Sequence, residues 1–234
     1  MSTSSPLIFS TRSLPAPLSK KLKKHKIQLQ QTDFIKVTQD YNKESFINYL
    51  NNPDSQARVI TSKNAVRSLA EILESEKIEL TAKKNFVVGI KASEMLEELG
   101  IPVHVKAENA ISLAQIIARN RDIKAVDYFC GNKALDDLPE YLNSKGIELH
   151  KEIVYQTELT PEVVETDAFN GIIFLSPTAV YSFFKKNKLN VETPCFCIGA
   201  TTSEAIHFRC DNPRIPSDEP TLESVIDKII AYYK

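Results

Sequence analysis

The sequence has no apolar run approaching the roughly 18 residues that a membrane-spanning helix needs, so no transmembrane helix is expected. Its start, Met1 to Pro6, is serine-rich and has no apolar stretch behind a basic one, so a secretory signal is not expected either. Cysteine is scarce, 4 in 234 residues, which is too few for a disulfide scaffold. No CxxC or HxxxH gives the spacing of a zinc site. Cys195-Phe196-Cys197 could suggest a metal or redox pair, but two alternating positions on a buried strand leading into Gly199 account for it better. Without GxGxxG or GxxxxGK[ST], no loop for a nucleotide phosphate is indicated. A GxSxG elbow is missing too. The four histidines, His25, His104, His150 and His207, share no pattern with a nucleophile. Charge of one sign is also lacking: 29 basic residues oppose 30 acidic ones, for a net charge of −1. That balance argues against nucleic acid and against a membrane as partners. The expected compartment is the cytoplasm.

What the sequence does have is a repeat. Val59-Ile60-Thr61-Ser62-Lys63-Asn64-Ala65-Val66 is echoed by Ile173-Phe174-Leu175-Ser176-Pro177-Thr178-Ala179-Val180, with Ser62 and Ser176 lying 114 residues apart. Val88-Gly89-Ile90-Lys91-Ala92-Ser93-Glu94 is echoed by Ile198-Gly199-Ala200-Thr201-Thr202-Ser203-Glu204, at an offset of 110. Phe34-Ile35-Lys36-Val37-Thr38 is echoed by Ile153-Val154-Tyr155-Gln156-Thr157, at 119. Three matches in one order, at slowly drifting offsets, indicate a duplicated unit with small insertions and deletions.

Short apolar runs alternate with helix-like patterns along the whole chain, which argues for α/β units and parallel sheets. Strands are expected at Leu7 to Thr11, Arg58 to Thr61, Phe86 to Val88, Val103 to Val105, Ala125 to Cys130, Gly171 to Leu175, Pro194 to Ile198 and Arg214-Ile215. Gln28 to Val37 reads as one extended run, and Glu148 to Tyr155 as another. Helices are expected at Pro17 to Lys24, Asn42 to Leu50, Asn64 to Ser75, Ser93 to Leu99, Ala110 to Arg119, Leu135 to Ser144, Thr178 to Lys186, Thr202 to Phe208 and Leu222 to Tyr233. Leu18 and Leu22 share one helix face, and the lysines around them read as a solvated surface. No Pro/Gly-rich linker divides the chain.

Each repeat sets hydroxyl residues after an apolar strand and before a helix. The first amides of a helix lack an intrahelical partner, and Ser or Thr caps them. The same amides, at the positive end of the helix dipole, attract carboxylates and phosphates. Ligands of open α/β sheets settle at the carboxyl ends of the strands. Thr61, Ser62, Ser176, Gly199, Thr201 and Thr202 therefore point to one rim and a large anionic ligand, with Arg12, Lys63, Arg67, Lys91 and Lys133 close enough to add charge. The hydroxyls have no evident activating base, so chemistry would rest on positioning and on a reactive substrate. Tyr155 is the exception: a phenol there could donate a proton or a hydrogen bond. A small-anion sensor with two lobes is the rival to an enzyme.

These segments, together with Leu99-Gly100, Val154-Tyr155-Gln156-Thr157 and the closing Pro220-Thr221-Leu222, resemble uroporphyrinogen-III synthase over nearly the whole chain. The resemblance implies two similar three-layer α/β lobes with parallel sheets, joined by a two-stranded β ladder, with a cleft between them. Residues 1–37 and 157–234 would form one lobe and 38–156 the other, so lobes and sequence repeats do not coincide. It implies a cyclising hydro-lyase without a cofactor, acting as a monomer in tetrapyrrole and heme biosynthesis. The substrate would be hydroxymethylbilane, a linear tetrapyrrole received from hydroxymethylbilane synthase. It would lose its terminal hydroxyl as water and close with the last ring inverted, by way of an azafulvene cation and a spiro intermediate. Tyr155 would be the proton donor to the leaving hydroxyl. Thr61, Ser62, Lys63, Gly89, Lys91, Ser93, Ser176, Thr178, Gly199, Thr201 and Thr202 would bind substrate, with Ser62, Ser176 and Thr201 lining the cleft and the backbone amides near Thr61, Ser62, Ser176 and Thr202 taking carboxylates. The family usually carries threonine in the turn after Val88-Gly89, where Ala92 stands here with Ser93 next to it.

Overall fold

The computed structural model describes residues 5–234; Met1–Ser4, most of the start read above for a secretory signal, lie outside the described residues. The chain divides into two compact units. Unit one takes the chain up to Lys36 together with Glu158–Lys234, and unit two is Val37–Thr157.

In chain order the elements begin with β1 (Leu7–Ser10), α1 (Ala16–Lys24), β2 (Gln28–Gln31), β3 (Ile35–Thr38), α2 (Lys43–Leu50), β4 (Ala57–Ile60) and α3 (Lys63–Glu76). There follow β5 (Lys84–Val88), α4 (Ile90–Glu98), β6 (Val105–Ala107), α5 (Ala110–Arg119), β7 (Ala125–Gly131), α6 (Asp137–Ser144) and β8 (Glu148–Leu159). The last are β9 (Gly171–Phe174), α7 (Pro177–Phe183), β10 (Cys195–Cys197), α8 (Ala200–His207), β11 (Arg214–Pro216) and α9 (Leu222–Tyr232). A five-stranded sheet runs β11-β10-β9-β1-β2, and a six-stranded one runs β3-β8-β7-β4-β5-β6.

Both sheets are buried on two faces, because successive side chains of a strand point to opposite sides. Ile8 and Ile173 pack into one apolar cluster, their neighbours Phe9 and Phe174 into another. In unit two, Val59 and Phe86 serve one face, Ile60 and Val87 the other. The helices present apolar stripes to these faces: Ala65, Val66, Leu69 and Ile72 of α3 recur at helical spacing and are all buried.

The ladder registers show how the repeat is used. Elements β1 through α5 correspond in order to β7 through α9, with a 3-10 turn at Thr166–Ala168 in the place of α2. The β1–α1–β2 segment of the first copy pairs with β9 of the second, while β7–α6–β8 of the second pairs with β4 of the first. Each unit thus combines the opening βαβ of one copy with the remainder of the other. β3 matches the end of β8, and these two strands are neighbours in the six-stranded sheet.

Several boundaries differ from expectation for local reasons. The extended run at Gln28 to Val37 breaks into β2 and β3, which lie in different sheets, because Phe34 between them is buried 5.3 Å from Phe183 and 6.0 Å from Phe9. The strand expected at Val103 starts at Val105, since Asn85 holds the carbonyl of Pro102 and the amide of His104 first. Leu135 stays outside α6 and is 68% exposed. The helix after Ser176 ends at Phe183 rather than Lys186, where the Asn187 side-chain carboxamide donates to the Phe183 carbonyl at 2.9 Å. β8 runs on to Leu159.

Candidate active site

In unit two the carboxyl ends of β4, β5 and β7 make one rim. Thr61 leaves β4 half-buried, with its hydroxyl 3.1 Å from the phenol of Tyr128. Ser62 follows in an extended conformation and caps α3. Its Oγ accepts from the Asn64 amide at 3.1 Å and its carbonyl from the Val66 amide at 3.2 Å. Gly89 opens α4 with φ 86°, a left-handed value that side chains resist. Its carbonyl accepts both from the amide of Ser93 and, at 3.0 Å, from the Ser93 hydroxyl. Ser93 is buried with both donors committed to the Gly89 carbonyl, so its hydroxyl is not presented at the rim. The amides ahead of the first i→i−4 bond of α4 belong to Ile90, Lys91 and Ala92.

Unit one repeats this rim. Ser176 caps α7 in the same extended conformation, its Oγ accepting from the Ala179 amide at 3.2 Å. Gly199 opens α8, whose first-turn amides are those of Ala200, Thr201 and Thr202. Thr201 is exposed and Thr178 half-buried. Thr202 is only 3% exposed, so its side chain is not presented and its amide alone remains as a binding group. The matching last helices are capped alike: Asn109 accepts from the Ser112 amide at 2.8 Å and Thr221 from the Ser224 amide at 3.2 Å.

Lys63, Arg67, Lys91 and Lys133 are exposed side chains of unit two, and Arg12 of unit one. Arg67 donates to Asn64 at 3.2 Å. The remaining potential on both rims comes from helix dipoles, which favour carboxylates by about 0.3–1 kcal/mol each at exposed ends. Among the described residues no group of three or more His, Cys, Asp or Glu is placed to hold a metal ion.

Tyr155 sits in β8 at this rim, half-buried and opposite Gly131 of β7. Burial raises its pKa above the ordinary phenol value; a hydrogen bond with Ser62 works in the opposite direction, and Cys130 adds to the rise. The phenol therefore keeps its proton at neutral pH and stands beside the cap of α3. The Cys130 thiol, also buried, is pushed up to about 11. It is a packed side chain rather than a nucleophile.

Unit two thus brings Thr61, Ser62, Gly89, Lys91 and Tyr155 to the ends of adjacent strands, and unit one does the same for Ser176, Thr178, Gly199 and Thr201. Sequence reasoning missed Tyr128, which fixes Thr61, and Gly131, on which Tyr155 lies. Both sit in β7, seven buried residues in a row, where nothing in the pattern separates a rim residue from core.

A family model described as uroporphyrinogen-III synthase HemD matches residues 16–227. No curated protein matches the chain. A mutant uroporphyrinogen III synthase from the extremely thermophilic bacterium Thermus thermophilus superposes with a TM-score of 0.75 at 16% identity, covering 97% of each chain. Uroporphyrinogen-III synthetase from Helicobacter pylori 26695 gives 0.67 at 16%, covering 97% of this chain and 99% of its own. The wild-type Thermus enzyme in another crystal form gives 0.60 at 16%, covering 97% of each chain. At that identity the likeness to these structures is one of fold.

Proposed function

The chain belongs to the uroporphyrinogen-III synthase family, and from that premise we propose how its rims serve the reaction. It is a cyclising lyase of porphyrin and heme biosynthesis that closes hydroxymethylbilane to uroporphyrinogen III with loss of water. The family match sets aside the small-anion sensor.

The substrate is a chain of four pyrroles with carboxylate arms, and it carries its own leaving group. The first-turn amides of α4 in unit two and of α8 in unit one take carboxylates, joined at α3 and α7 by first-turn amides outside the serine caps, that of Thr178 in α7. Thr61, Ser62, Lys63, Gly89 and Lys91 serve the first rim, and Ser176, Thr178, Gly199, Thr201 and the Thr202 amide the second. Tyr155 donates its phenol proton towards the departing hydroxyl, which becomes water as the azafulvene cation forms. The rims then hold the bilane so that closure through the inverted ring outruns unassisted closure. No cofactor is called for, because the leaving group and the electrophile both belong to the substrate. This reading includes a cytoplasmic, monomeric enzyme that takes its bilane from hydroxymethylbilane synthase.

The observation that carries the assignment of roles is the placement of Tyr155: a phenol lying on Gly131, beside the Ser62 that caps α3, with burial raising its pKa. The activity is tested by supplying hydroxymethylbilane and separating the uroporphyrinogen isomers. Type III is expected; type I alone, as in a protein-free control, rejects the assignment.

A further inference from the structure

The end of the β7–β8 ladder contains an irregularity. The pairing is regular from Ala125↔Glu148 to Cys130↔Ile153, and then jumps so that Gly131 faces Tyr155. Val154 is the extra residue, and its side chain is fully buried in the apolar cluster beneath α3. Regular pairing would have set Val154 against Gly131; the bulge sets Tyr155 there instead.

The phenol ring occupies the space that a side chain on Gly131 would need. A β-carbon built on this residue would lie 2.3 Å from Tyr155 Cζ, 2.4 Å from Cε2 and 2.7 Å from its hydroxyl. No other glycine in the chain comes this close to a neighbour. Gly131 does not have a left-handed φ, so the backbone would accept alanine and only the ring would have to move. The backbone of Tyr155 is fixed from the next position: its carbonyl accepts from the Asn132 amide at 3.3 Å, and the Asn132 carboxamide accepts from the Thr157 amide at 2.8 Å.

We propose that Gly131 is a positioning residue for the reaction: its bare α-carbon, set by the bulge, is the seat that holds the Tyr155 phenol against Ser62 at the start of α3. This rests on the reading of Tyr155 as proton donor. With a methyl group at Gly131, the ring swings off its seat while the strand below stays latched by Asn132. Displacements of about 1 Å at a reacting group cost on the order of 100-fold in rate.

The test compares Gly131→Ala, Tyr155→Phe and the double variant, with kcat and KM for hydroxymethylbilane and an ultraviolet titration of the tyrosines. Gly131→Ala is expected to lower kcat on the order of 100-fold with KM little changed. It should also bring one late-ionising tyrosine back towards the ordinary phenol range. In the Tyr155→Phe background it should add nothing, because the hydroxyl it displaces is already gone. A wild-type kcat for Gly131→Ala beside a slow Tyr155→Phe overturns the inference and leaves Tyr155 in its role. An equal further loss in the double variant also overturns it, since Gly131 would then act elsewhere. A wild-type rate for Tyr155→Phe overturns the donor role and the inference with it. If Gly131→Ala fails to fold, Gly131→Ala/Tyr155→Leu decides: recovery of the fold locates the clash at the ring, and continued failure contradicts the proposal.

Discussion

Matched positions in the two units carry opposite chemistry. In unit one, Phe9 of β1 faces Ile172 of β9; at the same place in unit two, Asp127 of β7 faces Arg58 of β4. Phe9 belongs to an aromatic cluster, with its ring 4.7 Å from Phe169 and 6.4 Å from Phe183. Asp127 is fully buried among polar partners: Lys83 Nζ at 3.0 Å, Asn52 Nδ2 at 3.0 Å, His150 Nδ1 at 3.1 Å, and the hydroxyl of Ser55. The Arg58 guanidinium donates to the Leu50 carbonyl at 2.8 Å and the Thr81 carbonyl at 3.0 Å. Burial pulls its pKa down to about 10 against the opposing pull of Asp127. At the carboxyl ends of the strands the units agree: Ser62 with Ser176, Gly89 with Gly199, Asn109 with Thr221 as helix starts. A strand pair far from the rim needs only to be filled and satisfied, and oil or paired charge will do. A rim that offers amides needs the same turn each time.

The sharpest way to break this comparison is at the strand floor. Asp127→Ala leaves Lys83 and Arg58 buried without their counter-charge, and is expected to destabilise unit two by about 3–5 kcal/mol. Phe9→Leu keeps most of the packed volume and is expected to cost about 1–1.5 kcal/mol in unit one. Urea unfolding followed by tyrosine fluorescence measures both; equal costs would mean that the Asp127 network is no more than filler.

The next test separates the rims. Ser62→Ala and Ser176→Ala each remove a helix cap and are expected to lose about 1 kcal/mol of stability. Only Ser62 also touches Tyr155, so only Ser62→Ala should lower kcat, by about tenfold. Parallel denaturation and rate measurements check this, and a matching rate loss in Ser176→Ala would put the donor's support outside unit two.

A smaller effect lies in the pH profile. The donating form of Tyr155 is the protonated one, and its folded pKa lies above the ordinary phenol value of about 10. The rate should therefore hold from neutral pH to about 10 and fall only as pH rises through the raised value. That limb should vanish in Tyr155→Phe. A fall well below the phenol range would assign it to another group.

Much of this fold can be read locally. The alternation of strands and helices, the serine caps and the glycine helix starts each depend on a few adjacent residues, and the sequence contains them twice. The exchange of β1–α1–β2 and β7–α6–β8 between copies depends on a choice between two sheets whose edges look alike at the level of pattern. Nothing local marks it, save that Phe34 leaves the extended run to join the Phe9 cluster. The Asp127 network draws on Asn52, Ser55, Lys83 and His150, which are far apart in the sequence and carry no shared pattern until the strands bring them together. At the rim, helical phase turns the side chains of Ser93 and Thr202 inward, and which way a first-turn side chain points is beyond what spacing resolves. For Thr202 the expectation concerns its backbone amide, which does not depend on where the side chain points.

The claim that amides of both units hold the substrate is tested most directly by the KM for hydroxymethylbilane of Lys91→Glu and Thr201→Glu. Each puts a carboxylate in the first turn of a helix, α4 in unit two and α8 in unit one, where it favours the dipole and should leave the melting temperature unchanged or slightly higher. Each should also repel the substrate's carboxylates, so both variants are expected to raise KM about tenfold, equivalent to about 1.4 kcal/mol. An unchanged KM in either variant, with the protein folded, would contradict binding by that unit's rim.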